Sequence, residues 1–462
     1  MLLHDIADYA VAERTRDIPE EAIRWAKRAV IDWCATTAPG AIIQPATGLV
    51  QALGEDVGHG PARLFPSGGK ATVRTAATIN AAASHTVEFD DIFRDAIYHP
   101  STPVVSTALA VAEGENLSGD AFLRAVIVGY EVSTRIAVVL GRAHYKYWHN
   151  TATIGSFGAA IAAATALKLD RDQIAHAMAL VGTMAAGLQQ AFRSDSDTKP
   201  MHGAHAADTG VMCAMSAKYG IRGVMDMLDG EVGVGAAMSE NCDWSQATDG
   251  LGERYNITVM TTKNHGCCGH TFAAIDAALA IKEQYGVTAD DIESVDIRGY
   301  SSTYEICSGH DHSTPYDGRF SVPYLVATAF THGTVRLDAF TQERLTHPET
   351  CALSPKVAVH LDEEIDKNFP QQRAAHITVK TKDGRVLEHF QHARKGDPEL
   401  PLSDDEISAK FTELAAPVMG SASASALLDA CWSLETLDSI RALPFSMETA
   451  SQEHPASSGR NE

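Results

Sequence analysis

The chain has 462 residues, enough to bury a large core and to divide into more than one domain. Its formal net charge of −22 argues against nucleic acid or an anionic membrane as a partner. Hydrophobic residues make up 45% and charged residues 21%, as in ordinary soluble globular proteins.

No apolar run is long enough to suggest a membrane span, and the start, Met1-Leu2-Leu3-His4-Asp5, lacks the basic-then-apolar pattern of a signal peptide. Eight cysteines are too sparse for a disulfide framework, so a reducing cytoplasm is the expected location. An anionic substrate stays compatible with the acidic chain, because the local sign decides. Lys199, Lys263 and Arg193 lie in or beside polar islands.

Residues 1–260 read as mostly helical. Ile23, the stem of Lys27, Val30 and Cys34 recur at helical spacing, and Pro39-Gly40 marks an end. Thr75 to Ala83, Val104 to Glu113 and Ala121 to Ile136 carry the same signal. Gly155-Ser156-Phe157-Gly158-Ala159-Ala160 opens a helix whose small residues let neighbours approach closely. Cys34, Cys213 and Cys431 fall on apolar patterns and read as core. No long strand and no fixed-period repeat is expected here.

Near residue 285 the period changes. Ile292–Arg298 and Val357–Leu361 alternate as strands do. Ala375–Thr381 and Arg385–Phe390 flank Lys382-Asp383-Gly384, a hairpin signal. Helices are predicted across Pro323–Phe330 and Asp338–Thr346, and after Pro398 over Asp404–Leu414 and Ala424–Ser439. The expected fold class is mainly α. A large all-helical domain comprises residues 1–265 and a return segment, 396–446; a smaller α+β lid domain is inserted at 266–395, and a disordered polar tail spans 447–462.

Four polar islands interrupt this apolar texture. The first is Glu88-Phe89-Asp90-Asp91 with Tyr98-His99-Pro100-Ser101. Carboxylates beside an imidazole orient it and set its proton affinity. His99 is therefore a candidate general base, against the plainer reading of a satisfied histidine in a capping loop. Asp90 and Asp91 either orient that histidine or cap a helix.

The second island, Trp148-His149-Asn150-Thr151, precedes a helix start, a natural anion site. His149 is a candidate proton donor or carboxylate holder, or else a packed histidine. Nearby Tyr145 and Tyr147 are second proton carriers or core filler. The third and fourth are Thr198-Lys199-Pro200-Met201-His202-Gly203 and Lys263-Asn264-His265-Gly266-Cys267-Cys268-Gly269-His270. Lys199 and Lys263 are followed by sequence that reads as irregular. Converging on one cleft they would bind two carboxylates, with His202 and His205 beside them; alone, each lysine would be a solvated surface residue.

His265, Cys267, Cys268 and His270 look like metal ligands. Adjacent cysteines seldom both reach one ion, however, and no second ligand pair stands at zinc spacing. His310-Asp311-His312 is a single local cluster. No Gly-x-Ser-x-Gly elbow and no Gly-x-Gly-x-x-Gly after a strand is present, so neither serine-nucleophile nor dinucleotide chemistry is expected.

Taken in order, and joined by Phe320-Ser321-Val322-Pro323-Tyr324 and by Lys395-Gly396-Asp397-Pro398 … Lys410-Phe411, these islands resemble the MmgE/PrpD family over roughly residues 5–440. The resemblance implies a helical domain with an α+β lid, a homodimer, no metal or organic cofactor, and a small-molecule polycarboxylate substrate. It implies proton chemistry beside a carboxylate, as in 2-methylcitrate dehydratase, cis-aconitate decarboxylase or iminodisuccinate epimerase. In the decarboxylase branch an Asp and a Thr stand where this chain has Glu88 and Ile92.

The leading expectation is a cofactor-independent hydro-lyase. His99 is the base and His149 or a tyrosine the acid; Asp90, Lys263 and Tyr145 complete the catalytic set. Lys199, His202, Asp91, Arg94 and, from the lid, Tyr324 bind substrate. The alternatives are an epimerase with Lys263 and Tyr145 as opposed proton carriers, a decarboxylase of the cis-aconitate type, and a carboxylate-binding protein without chemistry. Closure of the lid beside Lys263 would exclude water.

Overall fold

The computed structural model describes residues 1–192 and 196–447. Arg193 and the expected tail beyond Met447 lie outside the described residues.

The fold is mainly α. Its larger body is built from α1 (Leu2–Ala12), α2 (Glu20–Gly40), α3 (Ala46–Ala52), α4 (Val73–Thr86), α5 (Ser101–Glu115), α6 (Gly119–Tyr145), α7 (Asn150–Ala166), α8 (Arg171–Gly182) and α9 (Thr198–Lys218). At its centre runs α7, buried over all 17 residues. Its sequence is mostly Ala, Gly, Ser and Thr, so α5, α6, α8 and α9 can pack around it at short range. Gly210 of α9 shows how short: a Cβ there would lie 2.4 Å from Ala159 Cβ.

Two readings of this body change. The sequence after Lys199 is helical, not irregular. Pro200 stands in the first turn of α9, where its missing N–H costs nothing, and the glycines beyond it serve packing rather than turns. A strand also appears where none was expected. β1 (Val57–Leu64) pairs antiparallel with β2 (Gly69–Ala71), its alternation hidden by Gly58, Gly60 and Pro61.

The smaller α+β part contains α10 (Phe272–Tyr285), β3 (Ile292–Gly299), α11 (Val322–His332), β4 (Val357–Leu361), β5 (Ala375–Thr381) and β6 (Val386–Gln391). The strand order is β4-β3-β5-β6. β3 runs parallel to β4, with Val295 opposite Val357, and antiparallel to β5, with Val295 opposite Val379. Alternate buried residues of β3 and β5 face α10 and α11. The β5–β6 hairpin turns at Gly384, φ +87°. The helix expected across Asp338–Thr346 is broken: a 3-10 turn covers Leu337–Phe340, and the Thr341 hydroxyl then accepts the Arg344 N–H to cap a separate helix, Gln342–Leu345.

The chain returns through α12 (Asp404–Met419), opened by a Ser403/Glu406 capping box, and α13 (Ser421–Trp432). α12 packs on α2. One hydrophobic core gathers residues from Leu3 to Met260 and from Leu402 to Leu443; a second runs from Cys267 to Leu387. The two segments joining them lie side by side. Thr262 N–H donates to Gly396 O at 2.9 Å, and Thr261 Oγ1 to Asp397 Oδ1 at 2.6 Å. Lys263 follows directly on this seam. No helix among the described residues is long and apolar enough to cross a membrane.

Candidate active site

The site is assembled at the C-terminal end of α4. Glu88 turns the chain there with φ +58°, a left-handed value sparsely populated by residues other than glycine. The following segment is tied down by an antiparallel bridge, Ile92 N–H to Thr261 O at 2.8 Å and Thr261 N–H to Ile92 O at 2.9 Å. The Glu88–Asp91 and Thr261–Lys263 islands, remote in sequence, thereby become neighbours.

Asp90 is the hub. Its Oδ2 lies 2.7 Å from His85 Nδ1 and 3.2 Å from His99 Nδ1, and it accepts the Thr102 hydroxyl at 3.1 Å. Its Oδ1 lies 3.9 Å from Lys263 Nζ. The His85 ring meets the His99 ring edge-on at 5.0 Å and stacks on His149 at 5.6 Å. His149 Nδ1 stands 2.9 Å from His202 Nδ1, a separation at which one neutral ring donates to the other, the tautomers deciding which. Lys199, on the first turn of α9, donates to Glu88 Oε1. Lys263 donates to Glu88 O at 2.6 Å and stands 3.7 Å from Glu88 Oε2.

Burial and charge set the protonation states. Burial lowers His99 to about 4 even though Asp90 pulls the other way. Burial likewise lowers His202 to about 4 and puts His149 well below its ordinary value. Burial alone would raise Asp90, but His99 and His85 outweigh it and hold it well below the carboxylate range. Burial would also raise Glu88; Lys199 and Lys263 outweigh it and hold it at about 2. At neutral pH the cluster therefore presents a neutral imidazole beside a carboxylate, a proton acceptor with a partner ready to stabilise the imidazolium. Burial pushes Tyr145 up to about 12, beside Gln189 and within the electrostatic reach of Cys268 and Glu88.

His99, Asp90, His149, His202, Lys199 and Lys263 thus come together, with Tyr145 beside them. Three expected substrate contacts do not. Arg94 forms a two-pronged pair with Glu399, at 2.7 and 2.8 Å, and spends its charge across the seam. Asp91 accepts from Tyr130 Oη at 2.7 Å and from Ser101 N–H at 3.2 Å, anchoring the start of α5; burial raises it to about 7. Tyr324 is fully buried in the second core, its hydroxyl donating to Ala339 O and its ring stacked on His312.

Two residues had been given no role from the sequence. His85, fully buried in the last turn of α4, looked in the sequence like one more helix C-terminal histidine. Lys410 of α12 is buried and donates to Asp32 Oδ1 at 2.6 Å, Phe89 O at 2.8 Å and Lys263 O at 3.0 Å. It thereby fastens both site segments to α2.

The metal-like run disperses among separate partners. His265 meets Asp276 at 2.8 Å, Cys267 meets Thr271 at 3.2 Å, Cys268 meets Cys307 at 3.8 Å, and His270 meets Tyr300 at 3.0 Å. Among the described residues, donor atoms spaced for an ion occur on His85, Asp90 and His99, all within 4.8 Å of one another. The Lys263 charge beside the same carboxylate opposes a cation there.

Residues 4–247 match the family model described as MmgE/PrpD N-terminal domain, and residues 265–434 match the MmgE/PrpD C-terminal domain. The chain is 25% identical over 458 residues to the cis-aconitate decarboxylase-like protein oryM of Aspergillus oryzae, covering 94% of both proteins. It is 25% identical over 389 residues to human cis-aconitate decarboxylase, covering 80% of this chain and 78% of the human one. It is 28% identical over 148 residues to a mitochondrial 2-methylcitrate dehydratase of Yarrowia lipolytica, covering 28% of each.

Proposed function

Since the chain belongs to the MmgE/PrpD family, we propose that it is a cofactor-independent lyase acting on a small di- or tricarboxylate, and that its reaction is a dehydration. A proton leaves the carbon beside a carboxylate for His99, and Asp90 stabilises the resulting imidazolium. Lys199 and Lys263 hold the carboxylates and stabilise the charge that grows as the C–H bond breaks. The β-hydroxyl departs as water with a proton from His149, which is hydrogen-bonded to His202; Tyr145 is the alternative donor. Residues 266–395 act as a lid over a body made of 1–265 and 396–446, and the protein works as a homodimer. One observation carries the reading: the His99 ring 3.2 Å from the buried Asp90 carboxylate, with Lys263 3.9 Å from the same carboxylate.

A decarboxylation is the second reading. It is favoured because the relatives aligned along nearly the whole chain carry that name, whereas the dehydratase aligns over 28% of it. The lysine-stabilised carbanion would then form by loss of carbon dioxide. Proton NMR in deuterated water with a panel of di- and tricarboxylates separates the cases. A new alkene with release of water is expected. Carbon dioxide with one solvent deuteron on the product would favour the decarboxylase, and deuterium uptake with scrambled stereochemistry an epimerase. Silence across the panel would overturn the proposal.

A further inference from the structure

A second group of cations lies where the two parts of the fold meet, and the reaction above does not use it. Arg142 belongs to the last turn of α6, which leaves helical geometry at Gly141, φ +59°. Arg373 precedes β5, Tyr300 follows β3, and His270 precedes α10. The Phe369 and Tyr300 rings stack at 4.6 Å, and the guanidinium carbons of Arg373 and Arg142 lie 5.8 and 5.2 Å from the centre of the Phe369 ring. His270 Nδ1 lies 3.0 Å from Tyr300 Oη. Arg373 is 5% exposed, yet it forms no ion pair among the described residues. Its Nη2 donates to Arg94 O at 3.3 Å; its Nη1 is buried with no hydrogen-bond partner among them. The neighbouring carboxylates are taken: Asp397 by Arg394, at 2.6 and 2.7 Å, and Glu399 by Arg94. Arg142, which is exposed, also pairs with no carboxylate among the described residues. Burial, then Arg373, Arg394 and Arg142, push His270 down to about 3. A buried cation is ordinarily paired, and one carbonyl with an aromatic ring offsets its desolvation less fully than an anion would.

We infer that Arg373 and Arg142, with His270 and Tyr300, form a second anion-binding site between the two parts of the fold, which takes one small oxyanion group, a carboxylate or a phosphate. Arg373 supplies the buried charge and an Nη1–H group without a partner. Arg142 closes the solvent side. The group borders the site described above. Tyr145 follows Arg142 in the same helix end, and Cys268, two residues before His270, lies within its electrostatic reach. Two sources therefore fit: the far carboxylate of the substrate, which rests on the reading above, or a free phosphate, which does not.

The test titrates inorganic phosphate and glutarate, a dicarboxylate, calorimetrically at low ionic strength into wild type, Arg373→Met, Arg142→Met and Lys199→Ala/Lys263→Ala. Wild type should hold one phosphate that Arg373→Met binds at least roughly 10-fold more weakly, the low end for one charge-assisted contact, and that the double lysine variant retains. Arg142→Met, at an exposed position that spares the fold, should weaken it in the same direction. Without phosphate, Arg373→Met should unfold at a denaturant midpoint no lower than that of wild type, because it removes an uncompensated buried charge; a merely structural arginine would give a drop. Absence of phosphate binding to wild type, unchanged phosphate affinity in either arginine variant, or a lowered midpoint in Arg373→Met overturns the inference. Competition between phosphate and glutarate, with glutarate weakened in Arg373→Met, assigns the site to the substrate's far carboxylate; simultaneous binding assigns it to a free anion. Glutarate affinity unmoved in the double lysine variant would sink the lysine clamp and leave this site standing.

Discussion

Lys410 is the test of how the fold holds the site. Its side chain is 1% exposed and its ammonium pairs with Asp32 at 2.6 Å; two further acceptors, Phe89 O at 2.8 Å and Lys263 O at 3.0 Å, belong to the two segments that carry Glu88, Asp90 and Lys263. Lys410→Met keeps the length and the apolar stem but leaves Asp32 as an unpaired buried carboxylate. Breaking one side of a buried ion pair costs about 3–5 kcal/mol. Asp32→Leu/Lys410→Met removes both charges and should regain much of that stability, because no charge is left stranded. It restores nothing to the two carbonyls, so the site segments stay loosened. Displacement on the order of 1 Å can cost about 10²-fold in rate. Denaturant unfolding and steady-state kinetics on the NMR-identified substrate should therefore diverge. The single variant loses stability and kcat/KM together; the double variant recovers stability alone. Full recovery of kcat/KM in the double variant would refute the positioning role, and a single variant within about 1 kcal/mol of wild type would refute the ion-pair energetics.

His99→Gln should fold normally and lower kcat/KM by at least ~10²-fold, the usual worth of a general base; near-normal turnover would remove His99 from the mechanism. The base acts when neutral, and burial lowers His99 to about 4, so kcat/KM should hold as pH falls through 6 and decline only near pH 4. A decline centred near 6.5 would assign that limb to another histidine. Lys199→Ala and Lys263→Ala should each weaken glutarate binding by roughly 10–150-fold, the span of about 1.5–3 kcal/mol per charge-assisted contact; unchanged calorimetric affinity in both would refute the clamp. EDTA should leave activity intact. One metal ion per chain, with activity lost on its removal, would instead put a cation on His85, Asp90 and His99.

The residues legible in the sequence are those that break the helical pattern at element ends. Glu88, Asp90 and His99 flank the gap between α4 and α5, His149 precedes α7, Lys199 opens α9, and Lys263 precedes the change from helical to strand period. Such positions announce themselves because a polar group there has no local partner. Residues inside elements do not. His85 lies on a helix whose remaining side chains in that stretch are small, and Lys410 fits a helix that looks half-exposed, its partner Asp32 lying 378 positions away. The failures of Arg94 and Tyr324 are the converse. Each looked unpartnered locally and found its partner at a distance, Arg94 on Glu399 305 positions away and Tyr324 inside the second core. The Lys199 helix was obscured because proline and glycine ordinarily punctuate, and only the packed structure shows Pro200 in a first turn and Gly210 against Ala159.

The acidic charge of the whole chain, −22, and the anion-binding role proposed for the site are reconciled by distance and burial. Exposed carboxylates farther from the site than the Debye length, about 8 Å at physiological ionic strength, are largely screened. Lys263, 3% exposed, Lys199, 15% exposed, and their two carboxylate neighbours are screened far less. The field a substrate meets at contact is therefore set by this small group and not by the total. The surface charge governs the approach, slowing encounter at low salt. Added salt should accordingly raise the association rate of a dicarboxylate more than it lowers its final affinity.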